Sequence, residues 1–260
     1  MGLIRNALVT GASSGIGAEF GRALAARGCD VVLVARRADR LKGLAAKLST
    51  DYGVRAGVLV ADLADPGGLA EVEARLARTD PPIDLLVNNA GVGDGGPATE
   101  TTADDQERVV RLNVIAPMRL TRAIAPGLLE RGRGGVINVA SLTAMLPGEP
   151  DGGAYAASKA FLTSYGESLA AEFAGRGPLV TTVCPGWART EMTAGLQERG
   201  LPSVAWVPVE RVVADTLRAF AAGRPLVVPG VQYKTADVLL RLLPRPVLRV
   251  ALRRGAAMTR

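Results

Sequence analysis

Short, continuously apolar runs alternate with amphipathic stretches along most of this sequence, and that alternation leaves few folds open. The apolar runs are Leu3–Val9, Val31–Ala35, Ala56–Val60, Ile83–Val87, Val136–Ala140, Leu179–Cys184 and Leu226–Val228. Their unbroken apolar character predicts strands covered on both faces. Helical periodicity fills the intervals at 15–27, 38–49, 66–78, 104–130, 155–174 and 208–222. Such βαβ alternation predicts an α/β fold, a doubly wound parallel sheet with right-handed crossovers and helices on both faces. No repeat or linker interrupts it. One domain over 1–260 is expected, with a core at about 3–230 and a basic, amphipathic extension at about 231–260.

Composition removes several function classes. With 260 residues, 48% apolar and 22% charged, the chain reads as globular rather than disordered. It contains no histidine, which excludes Ser-His-Asp and Cys-His catalysis and histidine-ligated metal sites. No metal is expected. Cys29 and Cys184 each lie in an apolar stretch and read as buried thiols rather than a disulfide framework. The net charge of +6 alone would suit a polyanion. Yet only four lysines occur, and no aromatic-interleaved basic cluster accompanies the arginines. No nucleic-acid partner is therefore expected. No uncharged stretch of 18 residues occurs, so no transmembrane helix is expected. The first apolar run begins by Leu3, which leaves no room for a signal peptide and points to a cytoplasmic location.

The stretch Thr10-Gly11-Ala12-Ser13-Ser14-Gly15-Ile16-Gly17 joins the first strand to the first helix. Glycines there permit a tight turn and let backbone N–H groups approach a pyrophosphate at the helix N-terminus. The spacing is G-x-x-x-G-x-G, not the commoner G-x-G-x-x-G, and no Gly-Lys-Ser/Thr follows. The second strand ends in Ala35-Arg36-Arg37. An NAD site often places an acid there for the ribose 2′-hydroxyl. Arginine instead suits a 2′-phosphate, so NADP(H) is the expected cofactor. The alternative is that Arg36 and Arg37 merely begin a solvated helix.

Tyr155-Ala156-Ala157-Ser158-Lys159 opens a helix, and the i, i+4 spacing puts Tyr155 and Lys159 on one face. A free tyrosine has a pKa near 10 and is a poor base at neutral pH. Lowering it by about two units takes roughly 2.7 kcal/mol, which one close, partly desolvated ammonium can supply. Such a tyrosine can protonate a developing alkoxide or deprotonate an alcohol.

Taken in order, the glycine loop, Asn88-Asn89-Ala90-Gly91, Asn113, Ser141, Tyr155 with Lys159, and Pro185-Gly186 resemble the short-chain dehydrogenase/reductase family over about residues 3–230. The resemblance implies a Rossmann-type sheet of seven strands and a nicotinamide cofactor. It implies an Asn113, Ser141, Tyr155, Lys159 tetrad. Tyr155 would be the general acid/base. Lys159 would lower its pKa and bond the nicotinamide ribose. Ser141 would hold the substrate oxygen, and Asn113 would position a water leading to Lys159. By the same resemblance, Gly11, Ser13, Ser14, Gly15, Ile16 and Gly17 contact the cofactor, as do Arg36 and Arg37. Asp62 and Leu63 meet the adenine, and Asn89, Ala90 and Gly91 lie under the adenine ribose. Pro185, Gly186, Ala188 and Thr190 face the nicotinamide. Ser14 stands where NADP-using members often carry a basic residue, which shifts the weight of cofactor selection onto Arg36.

Substrate contacts are expected from loops at Val92–Gly96, Leu142–Pro150 and Trp187–Trp206. Ser141, Leu142, Met145, Leu146, Tyr155, Trp187 and Met192 suggest a pocket for an apolar ketone or secondary alcohol. The few charges nearby are Asp94, Glu149, Asp151 and Arg189. From Tyr233 onward, arginine and apolar positions interleave, and Pro244 and Pro246 break the helical pattern. Two readings stay open for this tail: contact with a membrane surface, or packing on the body or a subunit partner. The expected activity is NADP(H)-dependent oxidoreduction. The alternative is a catalytically weak cofactor-binding regulator or membrane-surface protein of the same fold. The resemblance implies a homodimer or homotetramer through the 104–130 and 155–174 helices.

Overall fold

Continuous apolar runs become strands here because helices cover both faces of one sheet. The computed structural model describes residues 4–93, 96–148, 152–235, 243–244 and 246–249. Its strands are β1 (Asn6–Thr10), β2 (Asp30–Ala35), β3 (Ala56–Val60), β4 (Leu85–Asn88), β5 (Gly135–Val139), β6 (Leu179–Val183) and β7 (Leu226–Val227). All pair in parallel, in the order β3-β2-β1-β4-β5-β6-β7. The order reverses between β1 and β4. In open α/β sheets that switch point, beyond the carboxyl ends of the strands, is where a ligand crevice forms.

The helices are α1 (Gly15–Ala25), α2 (Ala38–Tyr52), α3 (Pro66–Ala77), α4 (Ala103–Val110), α5 (Ala116–Arg131), α6 (Gly153–Phe173), α7 (Ala194–Glu198) and α8 (Val209–Ala221). Side chains along β1 alternate between two cores. Ala7 and Val9 join a cluster with Phe20 and Leu24 of α1, Leu41 and Leu48 of α2 and Phe220 of α8. Leu8 faces the opposite cluster, with Val72 of α3, Leu120 and Ile124 of α5 and Phe173 of α6. A strand's two-residue period dictates this division.

Three departures from the sequence reading have local causes. Helix α2 runs past residue 49 to Tyr52 and stops at Gly53, whose φ of +68° suits glycine at a helix end. The periodic stretch 104–130 is not one α-helix, since a π-helical turn over Arg111–Ile115 separates α4 from α5. Helix α7 and the 3₁₀ turns at Leu142–Met145, Glu191–Thr193 and Ser203–Ala205 are too short to produce a periodic signal.

Helix α6 lies close on the sheet because Gly166 has no side chain. A Cβ there would stand 2.0 Å from Thr182 Oγ1 on β6. That close approach delivers the N-terminal turn of α6, with Tyr155 and Lys159, to the end of β5. Asp94, Glu149, Pro150, Asp151 and most of the tail beyond residue 235 lie outside the described residues. Among the described residues, no helix is long and apolar enough to cross a membrane.

Candidate active site

Each segment singled out in the sequence leaves the sheet at the carboxyl end of a strand or stands on a helix next to one. The glycine loop after β1 is braced by the turn after β4. Thr10 Oγ1 donates to the Val87 carbonyl (3.1 Å) and accepts from the N–H groups of Asn89 (2.9 Å) and Ala90 (3.0 Å). Asn89 Nδ2 donates to the Thr10 carbonyl at 2.9 Å. Gly11 and Gly15 take φ of +66° and +53°, the left-handed region that L side chains resist. Ser14 caps α1 in extended conformation without a side-chain cap bond, so its hydroxyl does not occupy the first-turn N–H groups. Ile16 packs its side chain against the first core cluster.

Arg36 and Arg37 diverge, as consecutive residues at a strand end do. Arg37 turns onto the glycine loop. Its Nε and Nη2 donate to Ser13 Oγ (3.1 and 2.9 Å), and Nη2 also donates to Ser14 Oγ (2.8 Å). Its Nη1 donates to Glu191 at 2.7 Å. Arg36 faces away and pairs loosely with Asp62 at 3.7 Å, a carboxylate that Arg108 also approaches to 3.2 Å. Arg40, one turn into α2, joins Arg37 on Glu191. Hydrogen bonds from Arg40 and then Arg37 hold the Glu191 carboxyl down at about 2. Leu63 is only 5% exposed and turns its side chain into the second core, so only its backbone is left for a ligand.

The four tetrad residues come from three elements: the π-helical turn, the end of β5 and helix α6. Asn113 sits in the π-helical turn, a feature often found at functional sites. Its Nδ2 donates to the Val92 carbonyl (2.9 Å) and to Ser158 Oγ (3.0 Å), and its Oδ1 accepts from the Val92 N–H (3.0 Å). Ser158 Oγ in turn donates to the Tyr155 carbonyl at 2.7 Å. Asn113 therefore ties the turn after β4 to the first turn of α6. A Cβ on Gly91 would stand 3.2 Å from both Asn113 Oδ1 and Lys159 Nζ, so both side chains close on Gly91 and leave no easy room for a side chain there.

Lys159 is 3% exposed. Its Nζ donates to the Val139 carbonyl at 2.9 Å and stands 5.7 Å from the Tyr155 ring centroid. Burial pushes its ammonium down from 10.5 to about 8, with Cys184 opposing the shift. The fold therefore disfavours the charged form, and the unfolded chain binds more protons between about pH 8 and 10.5. Stability at this position is lowest below about pH 8 and recovers as pH rises towards 10.5. Relative to Lys159→Met, wild type is expected to gain about 2 kcal/mol between pH 7.5 and 10. Urea unfolding of both proteins at the two pH values measures this, and a flat difference would argue against a buried ammonium.

Ser141 caps the 3₁₀ turn that follows β5. Its Oγ accepts from the Thr143 N–H (3.3 Å) and from Thr143 Oγ1–H (3.0 Å). Two donors on its lone pairs leave its own O–H to be donated outward. The Leu142 N–H donates to the Pro185 carbonyl at 2.9 Å, which joins this turn to the stretch after β6. Leu142 and Met145 pack on Ala140, Cys184 and Val228. Leu146 is half-buried, while Trp187 and Met192 are 40% and 55% exposed. Ala188 pairs with Val207 in an isolated bridge. Thr190 stands over the glycine loop, its Cγ2 3.0 Å from where a Cβ on Gly15 would lie. Arg189 lies over the Trp206 ring at 5.4 Å. Cys29 and Cys184 are buried thiols without a disulfide, and burial pushes Cys29 up to about 12.

Five residues here escaped the sequence reading as site elements: Thr10, Arg40, Ser158, Glu191 and Tyr233. Ser158 alone had a local signal, three residues after Tyr155 on the same helix. The others meet their partners across long separations.

Comparison with known proteins agrees with this geometry. Residues 5–200 match the family model described as short chain dehydrogenase. A short-chain dehydrogenase from Sphingobium yanoikuyae in complex with NADPH superposes with a TM-score of 0.82 at 35% identity, covering 93% of this chain and 97% of that one. The bulky-bulky ketone specific alcohol dehydrogenase from Comamonas testosteroni gives 0.79 at 32% identity, covering 98% and 94%. The galactitol 2-dehydrogenase (L-tagatose-forming) of Cereibacter sphaeroides is 33% identical, covering 90% of this chain and 91% of that protein. Against a short chain dehydrogenase of Pseudocercospora fijiensis, the match spans 62% of that relative's length. The seven-stranded parallel sheet, the braced glycine loop and these matches together place the chain in the short-chain dehydrogenase/reductase family.

Proposed function

We propose that this protein is an NADP(H)-dependent reductase of apolar ketones, equally able to run the reverse oxidation of secondary alcohols, with Tyr155 as general acid/base. One observation carries the chemistry: a buried Lys159 ammonium 5.7 Å from the Tyr155 ring, on the helix turn facing Ser141. The nicotinamide supplies or accepts the hydride at the carbonyl carbon. Ser141 donates its outward O–H to the carbonyl oxygen and stabilises the charge that develops there. Tyr155 Oη gives that oxygen its proton during reduction and takes it back during oxidation. Lys159 favours the tyrosinate electrostatically. Asn113 holds the first turn of α6 against Val92, and its side chain approaches Gly91 together with Lys159 Nζ.

The donor set at the adenosine end fits a phosphate monoester. Arg37 offers a planar guanidinium beside the Ser13 and Ser14 hydroxyls, at the N-terminus of α1. Similarity to a protein solved with NADPH supports the same cofactor. Arg37→Ala is expected to weaken NADPH about 10- to 100-fold, the loss of one charge-assisted pair, and to change NADH about twofold at most. Fluorescence titration with both cofactors measures it. Equal losses for the two would remove Arg37 from phosphate recognition.

For the substrate, the exposed indole of Trp187, the exposed Met192 and the apolar Leu142, Met145 and Leu146 favour an apolar ketone. Likeness to a bulky-ketone enzyme supports it, and likeness to a galactitol dehydrogenase supplies the competing arm. The deciding experiment follows NADPH oxidation against a panel of bulky aromatic ketones and ketoses. Turnover of ketoses alone would overturn the apolar assignment. No turnover of any carbonyl would favour a cofactor-binding regulator.

A further inference from the structure

The loop after β6 is held from an unexpected direction. A helical turn over residues 231–235 follows β7 and begins the C-terminal extension. From it, the half-buried Tyr233 reaches back under the stretch that flanks Ser141. Its Oη accepts from the Trp187 N–H (3.1 Å) and donates to the Ala205 carbonyl (2.6 Å). Its ring occupies the space that a side chain at residue 186 would need. A Cβ on Gly186 would stand 2.2 Å from ring atoms Cε2 and Cζ. One hydroxyl thus joins two backbone segments, 185–190 and 203–206, that carry Trp187 and Trp206, with ring centroids 6.3 Å apart. Two further bonds hold that wall: the Trp187 carbonyl accepts from the Val207 N–H (2.8 Å), and Gln232 Nε2, from the same helical turn as Tyr233, donates to the Val204 carbonyl (3.3 Å).

We propose that Tyr233 is a positioning residue for substrate. Its hydroxyl sets where Trp187 stands in the stretch that Leu142 joins through the Pro185 carbonyl, and it makes the start of the C-terminal extension part of the substrate wall. This rests on the reading of that wall as substrate-facing. Removing the hydroxyl leaves the Trp187 N–H and the Ala205 carbonyl without their shared partner, while the phenyl ring still fills the space over Gly186.

The test is Tyr233→Phe in the full-length protein, read three ways. Trp187 and Trp206 are the two tryptophans of the chain, so emission excited selectively in the tryptophan band reports on this wall. The variant's emission is expected to shift to the red as the indoles gain water. KM for a bulky aromatic ketone that wild type reduces is expected to rise roughly three- to tenfold, the worth of one buried hydrogen bond. The dissociation constant of NADPH and kcat are each expected to stay within about twofold. An unchanged KM overturns the proposal whether or not the emission moves. Parallel losses in KM, kcat and NADPH affinity also overturn it, since they mark a general structural role. Gly186→Ala presses the ring from the other side and is expected to move the same emission band. The emission needs no turnover. Absence of any ketone turnover in wild type would therefore defeat the reductase reading, whereas unmoved emission in both variants would defeat the Tyr233 coupling by itself.

Discussion

Tyr155→Phe is expected to lower kcat/KM for ketone reduction by about 10²- to 10⁴-fold, the range that positioned proton transfer contributes. NADPH affinity is expected to stay within about twofold, because the substitution removes one oxygen and leaves the ring beside Lys159. The large effect follows from the chain's chemistry. With no histidine present, the alkoxide that develops on the carbonyl oxygen has few other proton sources. Ser141 can donate a hydrogen bond but is far too weak an acid to surrender its proton. Lys159 spends a hydrogen on the Val139 carbonyl. Steady-state rates and a cofactor titration on the same preparation separate chemistry from binding. A variant turning over near the wild-type rate would remove Tyr155 from the mechanism.

The second large effect lies in the glycine loop. Gly17→Ala would place a Cβ 2.3 Å from the Gly11 carbonyl oxygen and 2.4 Å from Asn89 Nδ2. The first neighbour is backbone. The second is pinned by its 2.9 Å bond to the Thr10 carbonyl. Neither can yield without opening the glycine loop. Overpacking of this kind costs about 1–3 kcal/mol. In a chain of this size that lowers Tm by roughly 2–12 °C. NADPH affinity is expected to fall more than about 100-fold, because the first-turn N–H groups lose their alignment with the anion. Gly43→Ala is the control. It lies in α2 with open space where its Cβ would go, and alanine there is expected to add about 1 kcal/mol of stability. Thermal melts with and without NADPH check both signs. A Gly17→Ala protein that melts and binds like wild type would refute the close approach.

Much of this site was legible in the sequence because it is built from local geometry. Tyr155 and Lys159 share a face through helical spacing alone. Gly11, Gly15 and Gly17 announce a strand-to-helix turn by their spacing, since each meets a requirement of the backbone. Ser141, Asn113 and Asn89 were legible only through the resemblance to the short-chain dehydrogenase/reductase family, since neither spacing nor periodicity singles them out. What escaped depends on contacts between distant segments. The sequence named both Arg36 and Arg37 as cofactor contacts without a sign of which one faces the loop. The end of β2 turns Arg37 onto Ser13 and Ser14 and leaves Arg36 to Asp62. The π-helical turn that presents Asn113 has no signature in hydrophobic periodicity.

By itself, then, the sequence determined the alternating elements, the parallel two-sided sheet, the glycine turn and the Tyr155–Lys159 pair. These follow from periods of two and 3.6 residues and from backbone conformations that few residue types tolerate. Only the tertiary structure decided that Thr10 locks the loop, that Arg37 with Arg40 meets Glu191, that Lys159 is buried deeply enough for its ammonium to be disfavoured, and that Tyr233 returns to brace Trp187. Each of these is a pairing across tens to more than a hundred residues. A side chain's chemistry is written in the sequence, but its partner is chosen by how the layers pack, and one chain alone carries no local signal for that choice.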